Sequence, residues 1–302
     1  MNIYKFVPLA LPFLLSACGA SAFAGACLHE APRDAGIAVD GATKVQVIAG
    51  AGSLNIVGKP GMSAVQAHGT ACAAKKSQLD GIRLIAERRG DTLWIESVFE
   101  KGLSLGNRGL NFTVELPESL PLVVKDGSGA LKISNVAALR LNDGSGAATI
   151  SGVHGDLTVD DGSGGLDISD VHGSARIEDG SGALTVRKVE GPVDIEDGSG
   201  SIDIDHLSAD LIVRDGSCSI RISDVEGDLT ISEAGSGGLS VDNVAGRVDI
   251  PKNVSQRKRR KEITPSAALL LSCCATSYAA CGTTRVQRRP SSAASCLVLG
   301  HR

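Results

Sequence analysis

The chain has 302 residues, 42% hydrophobic and 21% charged. That composition excludes wholesale disorder, collagen and a multi-span membrane protein. Glycine is abundant at 37 residues and aromatics make up only 3%, so Val, Ile and Leu must fill the interior. This favours thin, regular β layers over a large helical core. Charge is unevenly placed. From Lys252 to the end there are ten Lys/Arg and one acid, Glu262, a net +9, which leaves −13 on the rest of a chain whose total is −4. An acidic body argues against nucleic acid as a partner.

Residues 1–24 read as an export signal. Lys5 supplies the positive start, and Phe6 to Leu15 is an apolar run too short to span a bilayer. Two processing readings stay open. Ala22-Phe23-Ala24 is a small-x-small cleavage site, and Leu15-Ser16-Ala17-Cys18 matches a lipobox, in which Cys18 would carry lipid. Either way the body is expected outside the cytoplasm, in the periplasm, at the outer membrane or beyond it. In an oxidising compartment the simplest use of Cys27 and Cys72 is one disulfide. Closing that loop stabilises by a few kcal/mol.

Upstream of the regular region the strands are less uniform. Val45 to Ile48 and Leu54 to Val57, with Gly50 and Gly52 between them, predict one degenerate coil. Ile82 to Ile85 and Leu93 to Ile95 flank Arg88-Arg89-Gly90-Asp91 and predict paired strands. Trp94, Phe99 and Phe112 fall here, so residues 25–120 are expected to cap a stack.

From residue 121 to 252 the chain is a repeat. Asp-Gly-Ser-Gly begins at Asp126, Asp143, Asp161, Asp179 and Asp197. Asp-Gly-Ser-Cys begins at Asp215, and Ala234-Gly235-Ser236-Gly237 is a degenerate copy. The first interval is 17, the next four are 18 and the last is 19, an insertion at Glu233 or Ala234. Apolar residues recur five, seven and ten places after each Asp, and four and two before the next, as in Leu166, Ile168, Val171, Ala175 and Ile177. Each copy therefore holds two short alternating strands, one turn at Asp-Gly-Ser-Gly and another near Val-x-Gly. Neither strand can bury its apolar face alone. Stacking copies at about 4.8 Å gives an all-β fold, a parallel β-solenoid with about 18 residues per coil. The glycines permit φ > 0 at the corner, and the Asp can bond its own backbone there.

Val114-Glu115-Leu116-Pro117, Leu120-Pro121-Leu122-Val123-Val124 and the repeated Gly-Ser-Gly-x-Leu-x-Ile together resemble a bacterial β-strand-repeat family. This is the family named for putative adhesins, the auto-transporter adhesin head or GIN domain group. The resemblance covers roughly Cys27 to Lys252. It implies the solenoid fold and export, and it brings no catalytic motif. The tail, residues 253–302, breaks the pattern with Arg257-Lys258-Arg259-Arg260-Lys261 and a Ser/Ala/Cys/Arg-rich run. It reads as a frameshifted or read-through segment, or as a disordered basic arm.

The candidate chemistry lies at the corners. In register, Asp126, Asp143, Asp161, Asp179, Asp197 and Asp215 form a ladder, with Asp160, Glu178 and Glu196 beside it. Like charges about 5 Å apart repel by roughly 1 kcal/mol per pair in water. Two readings follow. One is a solvated column of Asx-turns. The other is a Ca²⁺ ladder, since hard oxygen ligands suit that ion. At the second corner His154, His172, Glu190, Ser208 and Glu226 form a row, expected to be exposed turn residues. Enzymatic β-helices use aromatic platforms and long loops to wall a groove. From Thr113 to Ile250 this chain has no Phe, Tyr or Trp, and its inter-strand links are short. Cys218 reads as a lone thiol. The expectation is a non-enzymatic, monomeric envelope module that displays a surface in the manner of an adhesin. It would need no resident cofactor unless the ladder takes calcium. Its envelope or extracellular partner is unknown, and it would meet membrane only through a lipid on Cys18. A polysaccharide-active enzyme is the third reading.

Overall fold

The structure is a computed structural model and describes residues 27–100, 108–217 and 219–251. The chain divides into units Met1–Arg259 and Arg260–Arg302, and every described residue lies in the first. The export signal, Cys18, Cys218 and the tail lie outside the described residues. Among the described residues no helix is long and apolar enough to cross a membrane.

The N-terminal region holds β1 (His29–Ala38), β2 (Lys44–Ile48), β3 (Leu54–Lys59), β4 (Ala64–Ala73), β5 (Ile82–Arg89), β6 (Thr92–Phe99) and β7 (Arg108–Pro117). The regular coils follow. They are β8 (Leu122–Asp126) with β9 (Gly129–Val136), β10 (Leu139–Asp143) with β11 (Gly146–Val153), and β12 (Leu157–Asp161) with β13 (Gly164–Val171). Next come β14 (Ala175–Asp179) with β15 (Gly182–Val189), β16 (Val193–Asp197) with β17 (Gly200–Leu207), and β18 (Leu211–Asp215) with β19 (Ser219–Val225). Last are β20 (Leu229–Glu233) with β21 (Leu239–Val244), then β22 (Val248–Asp249).

Short and long strands alternate between two sheets of 11 strands each. Within the coils every neighbour is parallel, and the register holds without a shift from β8 and β9 to β18 and β19, so Leu157 lies beside Ala175 and Leu166 beside Leu184. This is the solenoid that the period predicts. Period-2 alternation sends Leu157, Val159, Leu166, Ile168 and Val171 inward, each no more than 1% exposed. Truncating such a residue, for example Ile168→Ala, costs about 2–5 kcal/mol.

The chain does not enter the stack in sequence order. β2 lies between β6 and β8, and β3 between β7 and β9. The degenerate coil therefore becomes the rung on which the regular coils build. Outside it, β1 and β4 pair antiparallel with each other and onto β7, and β5 pairs antiparallel with β6. The aromatics serve this end. Phe112 is 4% exposed beside Leu54, and the Arg89 guanidinium lies 4.0 Å over the Trp94 ring. Cys27 and Cys72 are joined by a disulfide, Cα–Cα 5.4 Å, tying the chain just before β1 to β4.

Two details differ from expectation. The extra residue of the 19-residue interval is Ser232, because Val213 pairs with Ile231 and Arg214 with Glu233. The strand absorbs it as a bulge before the corner rather than in it. The corner glycines also have separate causes. The second of each pair, as at Gly164 (φ +141) and Gly182 (φ +147), needs positive φ. The first, as at Gly162, is instead demanded by close approach, since a Cβ there would lie 2.6 Å from the Gly144 carbonyl oxygen.

Candidate functional site

From β8 to β18 each short strand ends on the acid of its corner. Leu157, Val159 and Asp161 share one face, so the alternation that buries the two aliphatics also turns the Asp inward. Register then stacks the six: Asp126 beside Asp143, and on through Asp161, Asp179 and Asp197 to Asp215. All six are buried, between 3% and 6% exposed. This corrects the reading of a solvated column. The ladder lies inside the wall, and among the described residues no Lys, Arg or His is buried with it.

The column is not uniform. Asp179, Asp197 and Asp215 each accept the amide of the Ser two residues on, at 3.1, 3.1 and 2.9 Å. These are the expected Asx-turns. At the other end, Asp126 and Asp143 have both carboxylate oxygens buried without a donor in hydrogen-bond geometry, and Asp161 and Asp179 each keep one such oxygen. The amides of Gly144 and Ser145 favour the Asp143 charge without reaching hydrogen-bond geometry.

Burial disfavours the charged form throughout this stretch. It raises Asp126 above the usual carboxylate range. It pushes Asp143 to about 6, with the charges of Asp126 and Asp161 adding to it. Burial likewise raises Asp161, with the Ser163 amide opposing. Asp179 also reaches about 6, from burial and then from the charges of Asp197 and Asp161.

Outside the wall, Asp160, Glu178, Glu196 and Glu233 line a groove of about 600 Å³ together with the column from Asp161 to Asp215. Cations reach this outer row. Arg176 lies 2.9 Å from Glu178, and Arg214, itself a member of the row, lies 2.5 Å from Asp194 in the neighbouring one. The outer acids are thus partly neutralised, whereas the charges that act most on Asp143 are those of Asp126 and Asp161.

The second corner works differently. Asn135, Asp170, Lys188, His206, Asp224 and Asn243 all have φ between 51° and 57°, and Gly152 has φ 66°. One left-handed residue per coil bends the long strand before its last buried Val or Leu. The row His154, His172, Glu190, Ser208 and Glu226 is exposed, and the His154 and His172 rings meet edge to face at 5.5 Å. Asp156 there accepts both the amide and the hydroxyl of Ser174, at 2.9 and 2.8 Å. Those bonds hold it below the usual carboxylate range.

Sequence reasoning missed one cluster. Asp205, His206 and Asp224 bring ligand atoms within 4.8 Å of one another. His206 lies 2.7 Å from Asp205, whose other oxygen accepts the Ser223 hydroxyl at 2.7 Å. The signal was available, because the coil period of 18 places Asp224 one rung from His206. The cluster is partly exposed, and its carboxylates already hold donors from Ser223 and Asn243.

No family model matches the sequence, and no curated protein matches it. Solved structures do. One named as a putative adhesin from Parabacteroides merdae has a TM-score of 0.48 at 12% identity, covering 76% of this chain and 96% of that one. A putative adhesin from Parabacteroides distasonis has a TM-score of 0.46 at 11% identity, covering 76% and 97%. A putative lipid binding protein from the same organism has a TM-score of 0.44 at 16% identity, covering 75% and 97%.

Proposed function

We propose that this protein is a non-enzymatic surface module of the bacterial cell envelope, a stiff β-solenoid that displays its two faces to a partner in the manner of an adhesin. One observation supports this most. Both faces carry small polar and charged side chains in register from coil to coil, such as Thr149, Asp167 and Thr185 in one row. The links between strands in the described coils are turns of a few residues, which suits a continuous contact surface better than a walled cleft. Parallel stacking gives stiffness, because each strand is hydrogen-bonded on both sides and each rung buries its aliphatics against the next.

The test uses the full chain in its native cells. Protease shaving of intact cells should cleave it, and cells lacking it should adhere less to glycoprotein-coated and polysaccharide-coated surfaces. Replacing the row Thr149, Asp167 and Thr185 with lysine should reproduce the adhesion loss while the protein stays folded. Full protection from protease in intact cells, with adhesion unchanged on deletion, would overturn the reading.

A further inference from the structure

The corner does not need its aspartate in order to turn. By register the column is flanked by Ala49 at one end and Ala234 at the other, and both coils still turn there. Six carboxylates placed inside the wall between two alanines therefore call for a reason beyond the turn. Burying one anion without a partner is costly, and burying neighbours together is more so. Asp126 and Asp143 show this most sharply: each residue is at least 94% buried, and none of their four carboxylate oxygens is held in hydrogen-bond geometry, although the Gly127, Gly144 and Ser145 amides favour the charge from nearby. The buried side chains that open the facing strands at this level are Leu131, Ala148 and Leu166, which supply no charge.

We propose that the inner aspartate column is a binding site for a hard divalent cation of calcium's size, seated between successive coils at Asp126–Asp143 and continuing toward Asp161. The chemistry follows from the donor set. Ca²⁺ takes carboxylate oxygens, one or two per carboxylate, in flexible geometry. Two carboxylates one rung apart can supply up to four. Mg²⁺ demands a compact octahedron at about 2.0–2.1 Å, which carboxylates held about 4.8 Å apart by the strand spacing are poorly placed to close. Thiolate- and imidazole-seeking metals find neither ligand here. The half of the column from Asp179 to Asp215 commits an oxygen per residue to a serine amide, so the gaps nearer Asp126 bind first. The cation would tie coil to coil, and the rod would stiffen in a calcium-rich exterior. This inference stands apart from the adhesin-like reading.

Thermal melts and equilibrium dialysis of the full chain test it. In 1 mM Ca²⁺ against EDTA at pH 7.5 the midpoint should rise by about 5–10 °C, as expected for a ligand near 100 times its dissociation constant. Dialysis should find at least one Ca²⁺ per chain. Asp143→Asn, and separately Asp126→Asn, should abolish shift and binding, while Asp80→Asn, in an exposed turn outside the coils, keeps both. Dialysis of the unaltered chain decides the matter even where a variant fails to fold. No bound Ca²⁺ together with a midpoint that rises on acidification would show that the column holds protons, and the proposal would fail. An unchanged Ca²⁺ response in both column variants would place the ion elsewhere, for example at Asp205, His206 and Asp224, and would overturn it equally.

Discussion

The two corners of each coil turn the chain in opposite physical ways. At the acid corner the geometry is set along the stack. Glycine follows glycine because a Cβ would strike the coil below, and an aspartate is buried at every rung from Asp126 to Asp215. At the second corner a single left-handed residue suffices, and Asn, Gly, Asp, Lys and His all occupy it. Its acids face water, and Asp156 takes two donors from Ser174. Asp143 and Asp156 sit in consecutive coils, yet the first is pushed up to about 6 by burial and the second is held below its usual range by Ser174. A repeated residue is thus informative about chemistry only once its side of the wall is known.

The largest break in this comparison comes from the glycines. Gly182→Ala combines φ +147° with a Cβ 1.5 Å from the Gly164 carbonyl oxygen. It should cost more than about 4 kcal/mol or prevent folding, read as lost soluble protein or a collapsed melt. Gly165→Ala, one residue beyond a corner and with nothing within 4 Å of its Cβ, should be neutral to stabilising by about 0.5 kcal/mol.

The pH dependence comes next. Asp143 and Asp179 rise from 3.8 to about 6 in the fold, so the folded state resists their ionisation. The penalty is complete above about pH 6, eases as pH falls through that value, and vanishes below the unfolded value. A shift of that size corresponds to at most about 3 kcal/mol per residue. In EDTA the melting midpoint should therefore rise between pH 7.5 and pH 5. Below about pH 4 it should fall again, as Asp91, Asp156 and Asp205, all held low by hydrogen bonds, become protonated.

Asparagine scanning sharpens the contrast. Asp143→Asn removes a buried charge and adds a donor toward Asp126, so in EDTA at pH 7.5 it should stabilise by about 1–3 kcal/mol. Asp156→Asn should instead lower the midpoint slightly, since a weaker acceptor replaces the one that Ser174 uses. The smallest effect lies at the second corner. Lys188→Gly relieves a left-handed lysine (φ 55) and should raise stability by about 0.5–1 kcal/mol in a denaturant titration.

The coil was legible because its two signals agree. The 18-residue period and the alternation of Leu166 and Ile168 point to one packing, and nothing long-range competes with it. The degenerate coil at Val45 to Val57 was legible as a coil but not in its place, since insertion of β2 beside both β6 and β8 is a pairing that no local pattern encodes. The burial of Asp161 was in the alternation itself, because it continues the face of Leu157 and Val159. Treating the corner as ordinary solvent-facing turn chemistry hid it. The left-handed column was harder to see, because Lys188 and His206 are not residues that announce positive φ. The Asp205, His206 and Asp224 cluster needed only the period applied to polar residues as well as apolar ones.

The most direct test of the central claim, that the aspartate column lies inside the wall, is a ¹³C-carboxyl NMR titration of the aspartates in EDTA. Asp143 should titrate with a midpoint of about 6, well above Asp156, which should titrate below the ordinary 3.8. An Asp143 midpoint near 3.8 would show a solvated carboxylate, and the buried column, with the cation site built on it, would be wrong.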